Sequence, residues 1–334
     1  MKFGLSVAVQ HCPDEPACER IAELIEQVKL ARDLGFDSLS ASQHYVAAPF
    51  QYFQPIPLLA RLAPDSGRMT LITNILLLPL YNPVDLAEQL ATLDIICDGR
   101  LVCGMGLGYR DIEYTLFGVE RASRVSRFEE ALTLLKRLWT EDEVSYEGQH
   151  FHLDRARMTL KPLQRPRPPI WIAASSNAGI KRAAVLGDAW TIAGHATLAT
   201  LKQQMRWYRD SLRALGKPLP EEIPLIKELY VAPDRHTAHR EAQPYLEAKY
   251  RAYSEWGQDR ELPATETFAM PFASLLQDRF ILGNPDDCTA QIRAHQEQLG
   301  ITHLTFRIHW PGMPHAWVMR TIRLLGEKVL RAFR

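Results

Sequence analysis

The chain has 334 residues, 46% of them hydrophobic and 23% charged, with 39 basic side chains against 39 acidic ones. This is ordinary globular composition, long enough to bury a large core. Balanced charge provides no long-range field to gather nucleic acid or an acidic membrane, so a small and roughly neutral partner is expected.

The first sixteen residues, MKFGLSVAVQHCPDEP, lack the long apolar core and cleavage site of a signal peptide and read as a first strand over 3–9. A helix follows over 19–34, where Ile21, Leu24, Ile25, Val28 and Ala31 recur on one face and Gly35 stops it. Strands are predicted at 37–41, 69–76 and 100–106, with a helix from Pro83 between the last two. A long helix over 125–139 buries Phe128, Ala131, Leu132, Leu135, Leu138 and Trp139. The alternation then pauses for a hairpin around Glu147-Gly148 and a proline-rich connection. It resumes with a strand at 170–174, a helix at 177–186, a strand at 189–193, a helix at 198–215 and a strand at 223–231. Residues 232–284 are long for a connection and read as a helix (237–256) followed by a loop. A helix at 285–299, a strand at 303–308 and a helix at 315–333 close the series. Strand–helix units repeated in this way predict a single (β/α)8 TIM barrel over 1–334, with insertions after strands 4 and 7. The most apolar run, 71–80, is interrupted by Thr73, Asn74 and Pro79 and spans roughly half of the ~20 residues a bilayer requires. The five cysteines are odd in number and contain no CxxC pair, which reads as reduced thiols in a cytoplasmic protein.

In such a barrel the chemistry sits at the C-terminal ends of the strands. Strand 2 ends in Gln43-His44-Tyr45, followed by Phe50 and Tyr52. His44 there is placed for acid–base work, or is a loop histidine bonded to backbone. Strand 3 carries, next to Ile75, the polar pair Thr73 and Asn74, which must find partners, from a ligand or from the core. Strand 4 ends in Gly104, Gly106, Gly108, Tyr109 and Arg110. Alternating glycines leave one face bare, so that a flat ligand can approach the backbone. The spacing is not a dinucleotide fingerprint, which would open directly into a helix. Ser175, Ser176 and Asn177 precede the next helix and form either an anion site or simple caps, with Arg124 a candidate countercharge. Trp190, His195 and Trp310, at later strand ends, would complete an apolar pocket with Tyr45, Phe50 and Tyr52. Neither His150-x-His152 nor His236-x-x-His239 has the neighbours of a catalytic metal site.

Together the segments resemble the bacterial-luciferase-like flavin-dependent oxidoreductases. The resemblance rests on LLLPLYNPVDLAEQLATLD (76–94) and DGRLVCGMGLGYR (98–110), with Phe117-Gly118, Arg127-Phe128, Lys161-Pro162 and Trp310-Pro-Gly312 in the same order. It implies a flavin across the barrel mouth, with its phosphate near the start of the 177–186 helix. It also implies a bulged third strand behind the ring at Thr73, Asn74 and Ile75, often with a non-proline cis peptide. His44 matches the family's active-site histidine. Neutral Gln43 stands where many relatives have an acid, and Leu107 where luciferases can carry a phosphate-binding arginine. The resemblance further implies a homodimer. The function it implies is a two-component monooxygenase, using reduced FMN from a separate flavin reductase and O2 to oxygenate a small, largely apolar substrate. The alternative on the same fold is hydride transfer with coenzyme F420, and a third reading is flavin binding without turnover.

Overall fold

In the computed structural model, which describes residues 1–263, 266–276 and 278–334, nine parallel strands form one curled sheet. They are β1 (Lys2–Ser6), β2 (Ser38–Ala41), β3 (Thr70–Leu77), β4 (Leu101–Gly106), β5 (Ile170–Ala173), β6 (Ala189–Thr191), β7 (Pro224–Val231), β8 (Ile281–Gly283) and β9 (His303–Arg307). Their order is β6-β5-β4-β3-β2-β1-β9-β7-β8. A bridge between Ile192 and Leu225 brings β6 back to β7, through Ile192 N–H to the Pro224 carbonyl (2.8 Å) and Ile226 N–H to the Ile192 carbonyl (3.1 Å). The sheet therefore curls upon itself, as in TIM-barrel-like folds, with one strand more than the sequence pattern predicts. The extra strand is β8, which pairs only with the last residues of β7, Leu229 to Val231. Three residues are too few to display an alternation, so this strand exists through its pairing and not through its pattern.

The helices lie against the sheet because each presents one apolar stripe. In the helix Arg124–Thr140, Phe128, Ala131, Leu132, Leu135, Leu138 and Trp139 are buried as the periodicity requires. Each such large side chain contributes about 1.5–3 kcal/mol on burial. Helix starts are capped by their own sequence: Asn82 accepts from Val84 N–H, and Asn284 and Asp287 close a capping box before Pro285–Leu299. Three helices depart from the sequence reading, among them the short Phe272–Leu275 in the loop after 256. Pro55–Leu62 lies in a stretch to which the sequence pattern assigns no element, and Pro55 and Pro57 occupy its first turn, where no backbone donor is needed. Asp111–Leu116 is a helix where the sequence reads as loop. No helix among the described residues is long and apolar enough to cross a membrane.

One irregularity shapes the mouth. The pairing of β3 with β4 slips between Thr73 and Leu76, and the Asn74–Ile75 peptide is cis. Thr73 seals the bulge: its hydroxyl donates to the Gly104 carbonyl (3.1 Å) and accepts from Gly104 N–H (3.0 Å).

Candidate active site

A cavity of about 200 Å3 opens at the C-terminal ends of the strands. His44, Asn74, Ile75, Gly108, Tyr109, Ser175, Ser176 and His195, all singled out by sequence, line it. They come from five different strand ends, so only the closure of the sheet brings them together.

His44 is the best-supported chemical group. Its Nδ1 lies 2.9 Å from Oε1 of Glu113, a fully buried carboxylate. The same oxygen accepts from Tyr45 N–H (2.9 Å) and Arg110 Nη1 (3.4 Å). A carboxylate at Nδ1 fixes the tautomer with its proton there, leaving Nε2 as the working nitrogen. Nε2 faces the Tyr109 hydroxyl at 3.5 Å. Burial raises the Tyr109 phenol well above its ordinary range, so it stays protonated and able to donate. The imidazole is walled edge-on by Tyr52, Tyr109 and Trp256, with ring centroids 5.4–5.7 Å away. The guanidinium of Arg110 stacks 4.2 Å above the Trp256 ring. Sequence reasoning missed Glu113, because an acid in a short helix looks like any solvated one. It missed the roof as well, since Tyr253 and Trp256 belong to the insertion after β7.

A second group of features lies along β3 to β5. Neutral Gln43 accepts Leu77 N–H (2.9 Å) just past the bulge, and its amide nitrogen, with two N–H donors, lies within hydrogen-bond distance of Gln54, Tyr45 and Tyr81. It thus ties the end of β2 to the wall at Asn74 and Ile75. At the start of the helix Asn177–Leu186, Ser176 Oγ caps Gly179 N–H (3.2 Å) and its carbonyl accepts from Ile180 N–H (2.9 Å). Among the described residues, no acceptor takes the amide protons of Asn177 or Ala178, which leaves a donor pair at the positive end of the helix. Gln204 fixes this loop through the Ser175 carbonyl (2.8 Å). Arg182 reaches the cavity from the second turn, held 2.8 Å from Glu129.

Several expected residues lie elsewhere. Arg124 donates to the Arg121 carbonyl and does not line the cavity; Arg182 occupies that part of the wall. Thr191 faces the cavity, so its strand neighbour Trp190 must face outward; its indole packs on Tyr208 and donates to the Ala174 carbonyl. Trp310 is fully buried behind the wall, donating to Glu228 (2.6 Å). Tyr45 turns away to bond Tyr81 and pack on Phe117. Tyr52 bonds Ser42 (2.9 Å) and Phe50 packs on Trp256, both behind the first layer. Thr73 is consumed by the bulge, and Asn177 contributes an amide from an exposed position. Gly106 does not present a bare face to a ligand. A Cβ there would meet Ile75 Cδ1, so the neighbouring strand already fills the space.

The far wall is charged. Glu228, Lys249 and Arg307 meet there, beside His195. Burial, reinforced by Arg307, drives His195 down to about 3, so this imidazole is neutral at pH 7. Burial opposes ionisation of Glu228, but Lys249 and Arg307 outweigh it and hold the carboxyl at about 2.

Comparison with known proteins identifies the family. A family model described as luciferase-like monooxygenase matches residues 1–303. The oxygenase component of the flavin-dependent trigonelline monooxygenase of Acinetobacter baylyi is 24% identical, covering 100% of this chain and 96% of its own. The F420-dependent glucose-6-phosphate dehydrogenase of Nakamurella multipartita is 26% identical over 94% of this chain and 93% of its own. Among solved structures, monooxygenase RslO1 from Streptomyces bottropensis superposes with a TM-score of 0.89 at 27% identity, covering 100% of both chains.

Proposed function

The chain belongs to the luciferase-like monooxygenase family, and from that premise we propose that it is a flavin-dependent oxygenase acting with reduced FMN and O2 on a small organic substrate. The observation that carries this reading is the His44–Glu113 pair, with His44 lining the same cavity as the Asn74–Ile75 wall and the helix start at Ser176. These residues suit a flavin. Ile75 and the cis-linked wall would back the ring, while the free amides of Asn177 and Ala178, with Ser175 and Arg182, would take the phosphate. A bound flavin would supply electrons and the reaction with O2. The protein's own groups orient, exclude water and handle protons: Glu113 keeps Nδ1 protonated, so His44 can take or give a proton at Nε2. Tyr109 steadies that nitrogen, and the roof of Tyr253 and Trp256 keeps water out. We read the whole chain as one domain, a closed eight-stranded barrel with β8 added to its rim. A separate flavin reductase would provide the reduced cofactor.

Hydride transfer with coenzyme F420 is the second reading, favoured by the Nakamurella relative. Anaerobic titration with reduced FMN and with F420 in parallel separates the two. Tight binding of F420 with no binding of reduced FMN would overturn the oxygenase reading. In the same assay Ser175→Asp should weaken FMN far more than riboflavin, which has no phosphate; equal losses would place the phosphate elsewhere.

A further inference from the structure

Arg307 stands at the end of β9 and lines the cavity. Among the described residues its guanidinium makes one hydrogen bond, from Nη1 to Glu228 Oε1 at 3.2 Å. A guanidinium has five N–H donors, so most of its capacity is unspent. Glu228 cannot absorb it. Its Oε1 is shared with the Lys249 ammonium, and its Oε2 takes the Trp310 indole N–H at 2.6 Å. The Glu228 and Lys249 side chains are 2% and 1% exposed. Two cations therefore share one carboxylate in the barrel interior, and His195 beside them is neutral.

A buried charge without a partner costs several kcal/mol, so the surplus should have a counterion. Burial, and after it the nearby Arg307, pull the Lys249 ammonium down to about 7 despite its bond to Glu228, whereas Glu228 outweighs burial at Arg307 and raises it, so the guanidinium is the cation that stays charged. Arg307 lines the cavity, so a ligand there can reach its unspent donors. Only one carboxylate among the described residues, Glu261, reaches the cavity lining; it is exposed and lies 3.6 Å from Arg121. The cavity lining also includes Ile226, Tyr253 and Ser42, apolar or weakly polar, and the neutral His195.

We propose that Arg307 receives the carboxylate of the substrate, which would be an organic acid with an apolar or aromatic body whose far end is presented to His44. The inference rests on the cavity being the substrate chamber of the proposed oxygenase. It refines the expectation of a largely apolar ligand: the body is apolar, but one end is an anion. A forked guanidinium suits a carboxylate because two parallel N–H donors match its two oxygens.

The probe is benzoate against benzamide, which share a ring and differ in charge. Both are titrated against the flavin-free full chain by tryptophan fluorescence, with reduced FMN titrated separately. The wild-type protein should bind benzoate at least roughly tenfold more tightly than benzamide. Arg307→Gln, which leaves the Lys249–Glu228 pair intact, should bring the two within about twofold. Glu228→Gln should raise benzoate affinity several-fold by freeing both cations. Equal wild-type affinities, or a preference that survives Arg307→Gln, overturns the proposal. If Arg307→Gln does not fold, unchanged benzoate affinity in Glu228→Gln overturns it instead. Failure of reduced FMN to bind would count against the oxygenase reading alone, since the benzoate result does not depend on it.

Discussion

Replacing either of two glycines on β4 with alanine tests the packing of the cavity wall. At Gly104 a Cβ would run into the Thr73 carbonyl oxygen and sit 3.2 Å from its carbon and 3.4 Å from Asn74 Cα. All three are backbone atoms of the bulge. Nothing there can swing aside, so the cost lies at the upper end of the ~1–3 kcal/mol typical of overpacking. Losing glycine's freedom in the unfolded chain returns roughly 0.4–1 kcal/mol, leaving a net loss of about 2 kcal/mol. At Gly106 the obstacle is the far end of Ile75, with Ala173 Cβ in ordinary contact at 3.5 Å. Turning Ile75 off its rotamer costs about 0.5–1.5 kcal/mol, which the same backbone gain largely offsets. For 334 residues the unfolding entropy is about 0.7 kcal/mol/K, so 1 kcal/mol moves Tm by about 1.4 °C. Gly104→Ala should thus melt about 3 °C lower, and Gly106→Ala within about 1 °C of wild type. Ile75 lines the cavity, however, so turning it should weaken FMN several-fold in Gly106→Ala. Urea unfolding, calorimetry and an FMN titration on the two variants decide the matter. A Gly106→Ala protein that loses more stability than Gly104→Ala, or that binds FMN as wild type does, would refute this account of the wall.

His44→Ala should lower turnover with reduced FMN and O2 on the order of 10²–10⁴-fold while leaving flavin affinity nearly intact; Glu113→Gln should act in the same direction by a smaller factor. Steady-state rates check both, and an unchanged rate in His44→Ala removes it from the proton chemistry. A further prediction concerns acid. Burial holds His195 and His309 at about 3 and His295 at about 4. The unfolded chain binds protons below about pH 6.5 that the folded chain refuses, so stability must fall as pH drops from there towards 3. The slope is up to about 1.4 kcal/mol per pH unit for each histidine. Neither ring nitrogen of His309 has a hydrogen-bond partner among the described residues, so His309→Phe should flatten urea midpoints between pH 6 and 4. A curve as steep as wild type would show that His309 does not carry its share.

Periodicity made most of the fold legible. The helices Asn177–Leu186 and Pro285–Leu299 begin and end where caps and apolar spacing put them, because those signals are local. The strand β8 and the helix Asp111–Leu116 were not legible, since one exists by pairing and the other is too short for a stripe. At the site, residues beside a strand end could be found, as His44, Asn74 and Ser176 were. What sequence could not supply was direction. Trp190 and Thr191 are neighbours, yet only one faces the cavity, and a three-residue strand does not declare its parity. Partners across the barrel were equally hidden: Glu113 is 69 residues from His44, and nothing in either neighbourhood announces the other. The alternating glycines were a true signal with the wrong recipient, since a neighbouring strand and not a ligand takes the space.

The roof and the walls of the cavity have separate histories in the chain. Asn74, Ile75, Tyr109 and Ser176 belong to β3, β4, β5 and their loops, whereas Tyr253 and Trp256 come from the segment after β7. That segment is pinned to the body by Lys227, whose ammonium bonds the carbonyls of Gly194, Ala196, Asp278 and Arg279. All of these acceptors are main-chain atoms, indifferent to the side chains around them. These four bonds place no demand on the side chains of the residues that accept them, whereas the Lys249–Glu228 pair and Arg110 stacked on Trp256 tie the roof to particular residues. A lineage, or an engineer, could rewrite what the cavity admits from above while the cofactor wall below stays unaltered.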